Sequence, residues 1–172
     1  MLISIGRRAE APLGLLDLLV SCHGRIRHFI QVARAIGAGA LAEPVEIAEG
    51  CDRVARYFTV ALPLHVRDEE ESVLPRLRGT DEAVDAALDQ MAREHQSHDA
   101  GIRGLINACA DVSREPEDLA LRATLGRIAS GLYAELGDHL ALEEATVFPA
   151  VTLLTAASQA EILSELRLRR AN

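Results

Sequence analysis

The chain has 172 residues, enough for one domain with a core of its own and few for two. Apolar residues make up 49% and aromatics only 3%, Trp is absent, and Ala and Leu dominate, which suits packed helices. The formal net charge of −8 argues against a general nucleic-acid binder, and all 18 basic residues are Arg.

The opening stretch MLISIGRRAEAPLGLLDLLVSC lacks a signal-peptide pattern, because its charges follow the first apolar residues and Asp17 interrupts the later run. No stretch is long and apolar enough to span a membrane. Helical spacing predicts a first helix over about 12–37, with Leu16, Leu19, His23, Ile26, Ile30 and Ala33 on one face, stopped by GAGA at 37–40. Pro44 opens a second, whose stripe is Val54, Phe58, Ala61, His65, Glu69 and Val73. Pro63 is expected to kink it, and Pro75 with Gly79 to close it. A third helix begins near Thr80–Asp81, either of which can cap it, and carries Val84, Leu88, Met91, His95, His98, Ile102, Leu105 and Cys109 on one face. Pro116, with Glu117 and Asp118, is expected as the first turn of a fourth. Its face is Leu125, Ile128, Leu132, Leu136, His139, Glu143 and Val147, and its expected end lies around Pro149. A short fifth helix is expected from Ser158 to about 169, with Glu161 completing a capping box.

No segment alternates as a strand does. Long helices joined by short connections predict an all-α fold, an antiparallel up-down four-helix bundle with a short extra C-terminal helix. The expectation is a single domain over 1–172, with the bundle at about 12–150. Cys22, Cys51 and Cys109 are odd in number and far apart, which suits neither a disulfide framework nor a zinc motif, so a cytoplasmic protein is expected.

HVRDEEESVLP at 65–75 returns as HLALEEATVFP at 139–149, and His23 precedes the first copy much as His95 precedes the second. Helices one and two thus read as one helical pair and helices three and four as another, and a pseudo-twofold axis would bring equivalent residues to a shared centre. Residues four apart share a helix face, about 6 Å apart along the axis. His65 with Glu69 and His139 with Glu143 are therefore two inward pairs, joined by His23 and His95 from the apolar seams of their own helices. Buried carboxylates are costly unless paired, and a cation best offsets that cost. A mixed nitrogen and oxygen set suits iron, manganese or zinc better than calcium or magnesium, and facing carboxylates are placed to bridge two metals. The order and spacing differ from the Glu-x-x-His of ferritin-like sites. One seam histidine alone would read equally as a hydrogen-bonded core imidazole; two repeated pairs do not. His28 reads as a surface residue, Glu70 and Glu71 as a solvated acidic edge, Met91 as core, and Tyr57 and Tyr133 as packing residues within reach of the centre.

Four segments in order, CHGRIRHFI around His23, HVRDEEESVLP from His65, REHQSHD around His95 and HLALEEATVFP from His139, resemble the hemerythrin-like (HHE cation-binding) proteins. The resemblance implies a four-helix bundle around two non-haem irons. It implies His23, His65, His95 and His139 as ligands, Glu69 and Glu143 as bridging ligands, and reversible O2 binding or O2/redox sensing. Oxygen-carrying members place a second histidine four residues after the first on helix three, where this chain has Asp99. His98, one position earlier, still faces the seam, so His98, Asp99 or neither completes the set. Glu144 competes with Glu143 for the last carboxylate. The expected metal residues are thus His23, His65, Glu69, His95, His98, His139 and Glu143. The partners implied are O2 or a related diatomic, with no nucleic acid and no membrane, and a homodimer or a separate output protein. Two alternatives stand beside this: a di-iron oxidase, peroxidase or nitric-oxide-handling enzyme at the same site, and a metal-free helical interaction module. The fifth helix, with LSELRLRR, is equally suited to covering the bundle, dimerising or docking a partner.

Overall fold

Five helical runs and no strand make up the described residues, 14–39 and 42–171, of the computed structural model. They are α1 (Leu15–Gly37), α2 (44–77), α3 (Glu82–Arg114), α4 (119–153) and α5 (Ala156–Ala171). The stretch 1–13, including the expected start of α1 at 12, and Ala40 of the GAGA stop lie outside the described residues.

Side-chain caps mark where α3 and α4 begin. The Asp81 carboxylate accepts from the N–H groups of Ala83 and Val84 at 2.8 and 3.2 Å, while the Thr80 hydroxyl turns back to the Leu77 carbonyl at 2.6 Å. Asp118 does the same for α4, accepting from Ala120 and Leu121 at 2.7 and 3.0 Å. Pro116 therefore sits in the preceding turn and not in the first helical turn, because the Asp118 carboxylate takes the cap position. α5 begins at Ala156, two residues before Ser158; Thr155 Oγ1 accepts the Ser158 N–H at 3.2 Å, and Glu161 reaches Arg76 at 3.6 Å instead of closing a box.

α2 ends at Leu77, between Pro75 and Gly79 as expected, but α4 continues four residues past Pro149. α2 runs through Pro63 and Pro75 to Leu77, and α4 through Pro149 to Leu153. Each proline follows a π turn, at Tyr57–Ala61, Glu69–Val73 and Glu143–Val147. The N–H groups of Leu62, Leu74 and Phe148, each just before a proline, reach back five residues to the carbonyls of Tyr57, Glu69 and Glu143. The extra residue in the turn shifts the carbonyl that the proline ring would strike, so the helix continues. Two of these π turns begin on Glu69 and Glu143, the carboxylates of the predicted site.

α1 packs against α2 and α4, and α3 packs against the same two. Where α1 meets α4 the backbones touch: a Cβ on Gly37 would lie 2.2 Å from the Cα of Gly126. One apolar cluster gathers Ile26, Ile30, Phe58, Leu105, Leu125 and Leu132. A second gathers Leu19, Val73, Leu88, Met91 and Val147, and α5 adds Ile162 and Leu166 to it. On each of α1 to α4 the predicted site residues fall between the two clusters: His23 between Leu19 and Ile26, Glu69 between Leu62 and Val73, His95 between Met91 and Leu105, His139 and Glu143 between Leu136 and Val147. Each fully buried leucine stabilises the fold by roughly 1.5–3 kcal/mol, and the two apolar layers together offset the cost of the polar layer between them. No helix among the described residues is long and apolar enough to cross a membrane.

Candidate metal centre

The four histidines and two glutamates of the repeat meet in that layer. Glu69 turns Oε1 to His65 Nε2 at 3.2 Å and Oε2 to His95 Nε2 at 3.5 Å. Glu143 turns Oε1 to His139 Nε2 at 2.8 Å and Oε2 to His23 Nε2 at 2.7 Å. The rings pair off in the same way, His23 with His65 at 5.3 Å between centroids and His95 with His139 at 4.9 Å. Each carboxylate thus offers one oxygen to each histidine pair.

These atoms converge without hydrogen-bond alignment. His23 Nε2, His95 Nε2 and both oxygens of Glu69 and of Glu143 are buried and have no hydrogen-bond partner among the described residues. Such a group, left unsatisfied, costs about 1–3 kcal/mol, and more when charged. The ligand atoms of His23, His65, Glu69 and Glu143 all lie within 4.8 Å of one another, as do those of His95, His139 and Glu143. The donor set and its orphaned atoms therefore fit a bound metal.

The protonation pattern agrees. Burial works against charge on His23, but Glu143 and Glu69 beside it hold its pKa up, at about 9. Burial drives His65 down to about 3. Burial, then the charge on Glu143, pushes Glu69 well above the usual carboxylate range. Burial would raise Glu143 too, but the His139 and His23 rings set against its two oxygens outweigh it and hold Glu143 low. Both upward directions favour protons on His23 and Glu69, which a cation binding there would have to displace.

A family model for the hemerythrin HHE cation binding domain matches residues 14–151, most of the chain and all of the site. The chain belongs to the hemerythrin HHE cation-binding family. A comparison with curated proteins finds no match.

Behind the inner atoms of this HHE domain stands a ring of outer carboxylates. His23 Nδ1 donates to Glu144 at 2.8 Å, His95 Nδ1 to Glu70 at 2.9 Å and His139 Nδ1 to Glu94 at 2.7 Å. Of the two candidates for the last carboxylate, Glu143 lies at the centre and Glu144 at the edge, where it also holds Arg27. Glu70 and Glu71 are both exposed, as expected of a solvated edge; Glu70 in addition accepts from His95, and Glu71 pairs with Arg67 at 2.8 Å. Glu94 carried no signal in the helical pattern: one residue before His95, it lies about 100° around the helix from the seam.

His98 is buried edge-on to His139, ring centroids 5.3 Å apart, and belongs to neither ligand group. Asp99 is exposed and pairs with Arg103 at 3.7 Å. Both line a cavity of about 270 Å3 that touches His65, His95 and His139 and is otherwise walled by Ile26, Phe58, Leu62, Ile102, Leu136 and Leu140 among others. Tyr57 donates to the Cys22 carbonyl at 3.4 Å and stacks on Phe29; Tyr133 lies beneath the Arg34 guanidinium. His28 is exposed.

Proposed function

We infer that the chain is a non-haem di-iron protein that binds O2 or a related diatomic reversibly, or senses it for a separate output protein. In this reading α1 to α4 form an antiparallel up-down four-helix bundle. One observation supports it above the others: each histidine pair, His23 with His65 and His95 with His139, faces one oxygen of Glu69 and one of Glu143. Two nitrogens and two oxygens at each of two positions suit iron and leave room for a small ligand. Bound iron would supply the electrons that O2 takes up on binding. The protein's own part is to orient four imidazoles, to hold the two positions together through Glu69 and Glu143, and to offer a small ligand a largely apolar cavity beside them.

Elemental analysis of the purified protein, with visible absorption followed as the reduced form meets air, tests this reading. Two irons per chain and a reversible charge-transfer band are expected. No bound metal after reconstitution with ferrous iron would overturn it and favour the metal-free module.

A second reading, a di-iron oxidase, peroxidase or nitric-oxide-handling enzyme, draws support from His98. A buried imidazole lines the cavity outside both ligand groups, placed to meet a ligand held there. Turnover with hydrogen peroxide or nitric oxide in place of a stable oxygenated form would select it.

A further inference from the structure

The inner atoms pair off alike, although Glu69 groups with His23, His65 and Glu143 and leans less closely on His95, and what stands behind them is asymmetric in the opposite sense. At the His23/His65 position one ring alone has an outer carboxylate, Glu144, and the Arg27 guanidinium neutralises it, gripping both its oxygens at 2.7 and 3.0 Å. His65 Nδ1 is buried with no partner among the described residues. At the His95/His139 position both rings are backed, by Glu70 and by Glu94. No arginine bonds either carboxylate among the described residues; the other oxygen of Glu94 takes only the neutral amide of Gln90, at 2.7 Å. The repeat shows where the symmetry breaks. The residue before His95 is Glu94, and its counterpart before His23 is Cys22, which cannot accept as a carboxylate does.

A carboxylate that accepts the outer ring N–H fixes the tautomer, aims the inner nitrogen and strengthens it as a donor. Its charge, where no arginine cancels it, adds attraction for a cation. We propose that the two metal positions differ in affinity: the first cation settles at His95/His139, and the second binds more weakly at His23/His65. Glu94 is the positioning residue of the tight position, acting through the His139 ring. This rests on the dinuclear reading above and adds an order of filling to it.

The test is an anaerobic titration of the metal-free full chain with ferrous iron against a competing chelator, for the wild type, Glu94→Gln and Glu144→Gln. Both glutamates are partly exposed, so the amides leave the fold intact, which helical content by circular dichroism checks. The wild type is expected to bind two irons in two resolved steps. Glu94→Gln should weaken the tighter step by about 10- to 100-fold and spare the weaker one, the range found for outer partners of metal-bound histidines. Glu144→Gln should act on the weaker step. Two irons bound with equal affinity, an unmoved tighter step in Glu94→Gln, or a loss of the tighter step in Glu144→Gln would overturn the order of filling alone. A wild type that never takes a second iron would overturn the dinuclear reading and this inference together.

Discussion

Asp68 immediately precedes Glu69, is fully buried, and is gripped by two arginines of α5. Arg169 Nη1 lies 2.5 Å from Oδ1, and Arg170 Nη2 donates to Oδ2. Substituting Asp68→Asn keeps the volume, removes the charge and turns an amide NH2 towards one guanidinium. Each charge-assisted hydrogen bond contributes about 1.5–3 kcal/mol, so weakening two would cost roughly 3–6 kcal/mol. The lower end applies, because Arg170 is about a third exposed and can turn to water, while Arg169 keeps Ser72 at 2.7 Å and Glu71 at 3.2 Å. A loss of about 3 kcal/mol lowers the melting temperature of a domain this size by about 6–12 °C. Calorimetry on the metal-free protein measures the drop. Hydrogen exchange locates it, since amides of α5 should lose protection before those of α3. An unchanged melting curve with α5 still protected would refute the claim that Asp68 anchors this helix.

Chelation should lower the melting temperature of the metal-loaded protein, since a ligand at 100 times its Kd adds about 2.7 kcal/mol to stability; calorimetry with and without chelator checks it. Gly37→Ala should destabilise by at least about 1–3 kcal/mol in urea melts, because the new Cβ meets the Gly126 backbone, which cannot move aside as a side chain could. His98→Ala should leave metal content unchanged, since His98 belongs to neither ligand group, while enlarging the cavity beside His139; elemental analysis decides. Leu105→Ala, at a fully buried site below the polar layer, should cost about 2–5 kcal/mol by the same urea melts.

Local rules carried the reading of the sequence a long way. A spacing of four puts His65 with Glu69, and His139 with Glu143, on one helix face wherever those helices lie. The apolar stripes above and below each pair pointed the same faces inwards, and the two copies of the phrase implied a common centre. Local rules closed α2 correctly between Pro75 and Gly79 but ended α4 four residues early at Pro149, where a π turn lets the helix pass the proline. They also left α5 unassigned; its partner Asp68 lies about a hundred residues away in sequence, and its two buried apolar residues complete a cluster built by the other helices.

By itself, the sequence determined that the chain is helical and that four imidazoles and two carboxylates face one interior. Both follow from the 3.6-residue period and the cost of burying charge. The tertiary structure alone decided which outer carboxylate stands behind which ring. Glu70, Glu94 and Glu144 sit off the seams, and whether each meets a histidine of a neighbouring helix depends on how far the helices are rotated and slid against one another. Packing of whole faces sets that rotation and slide, and no spacing within a single helix encodes it.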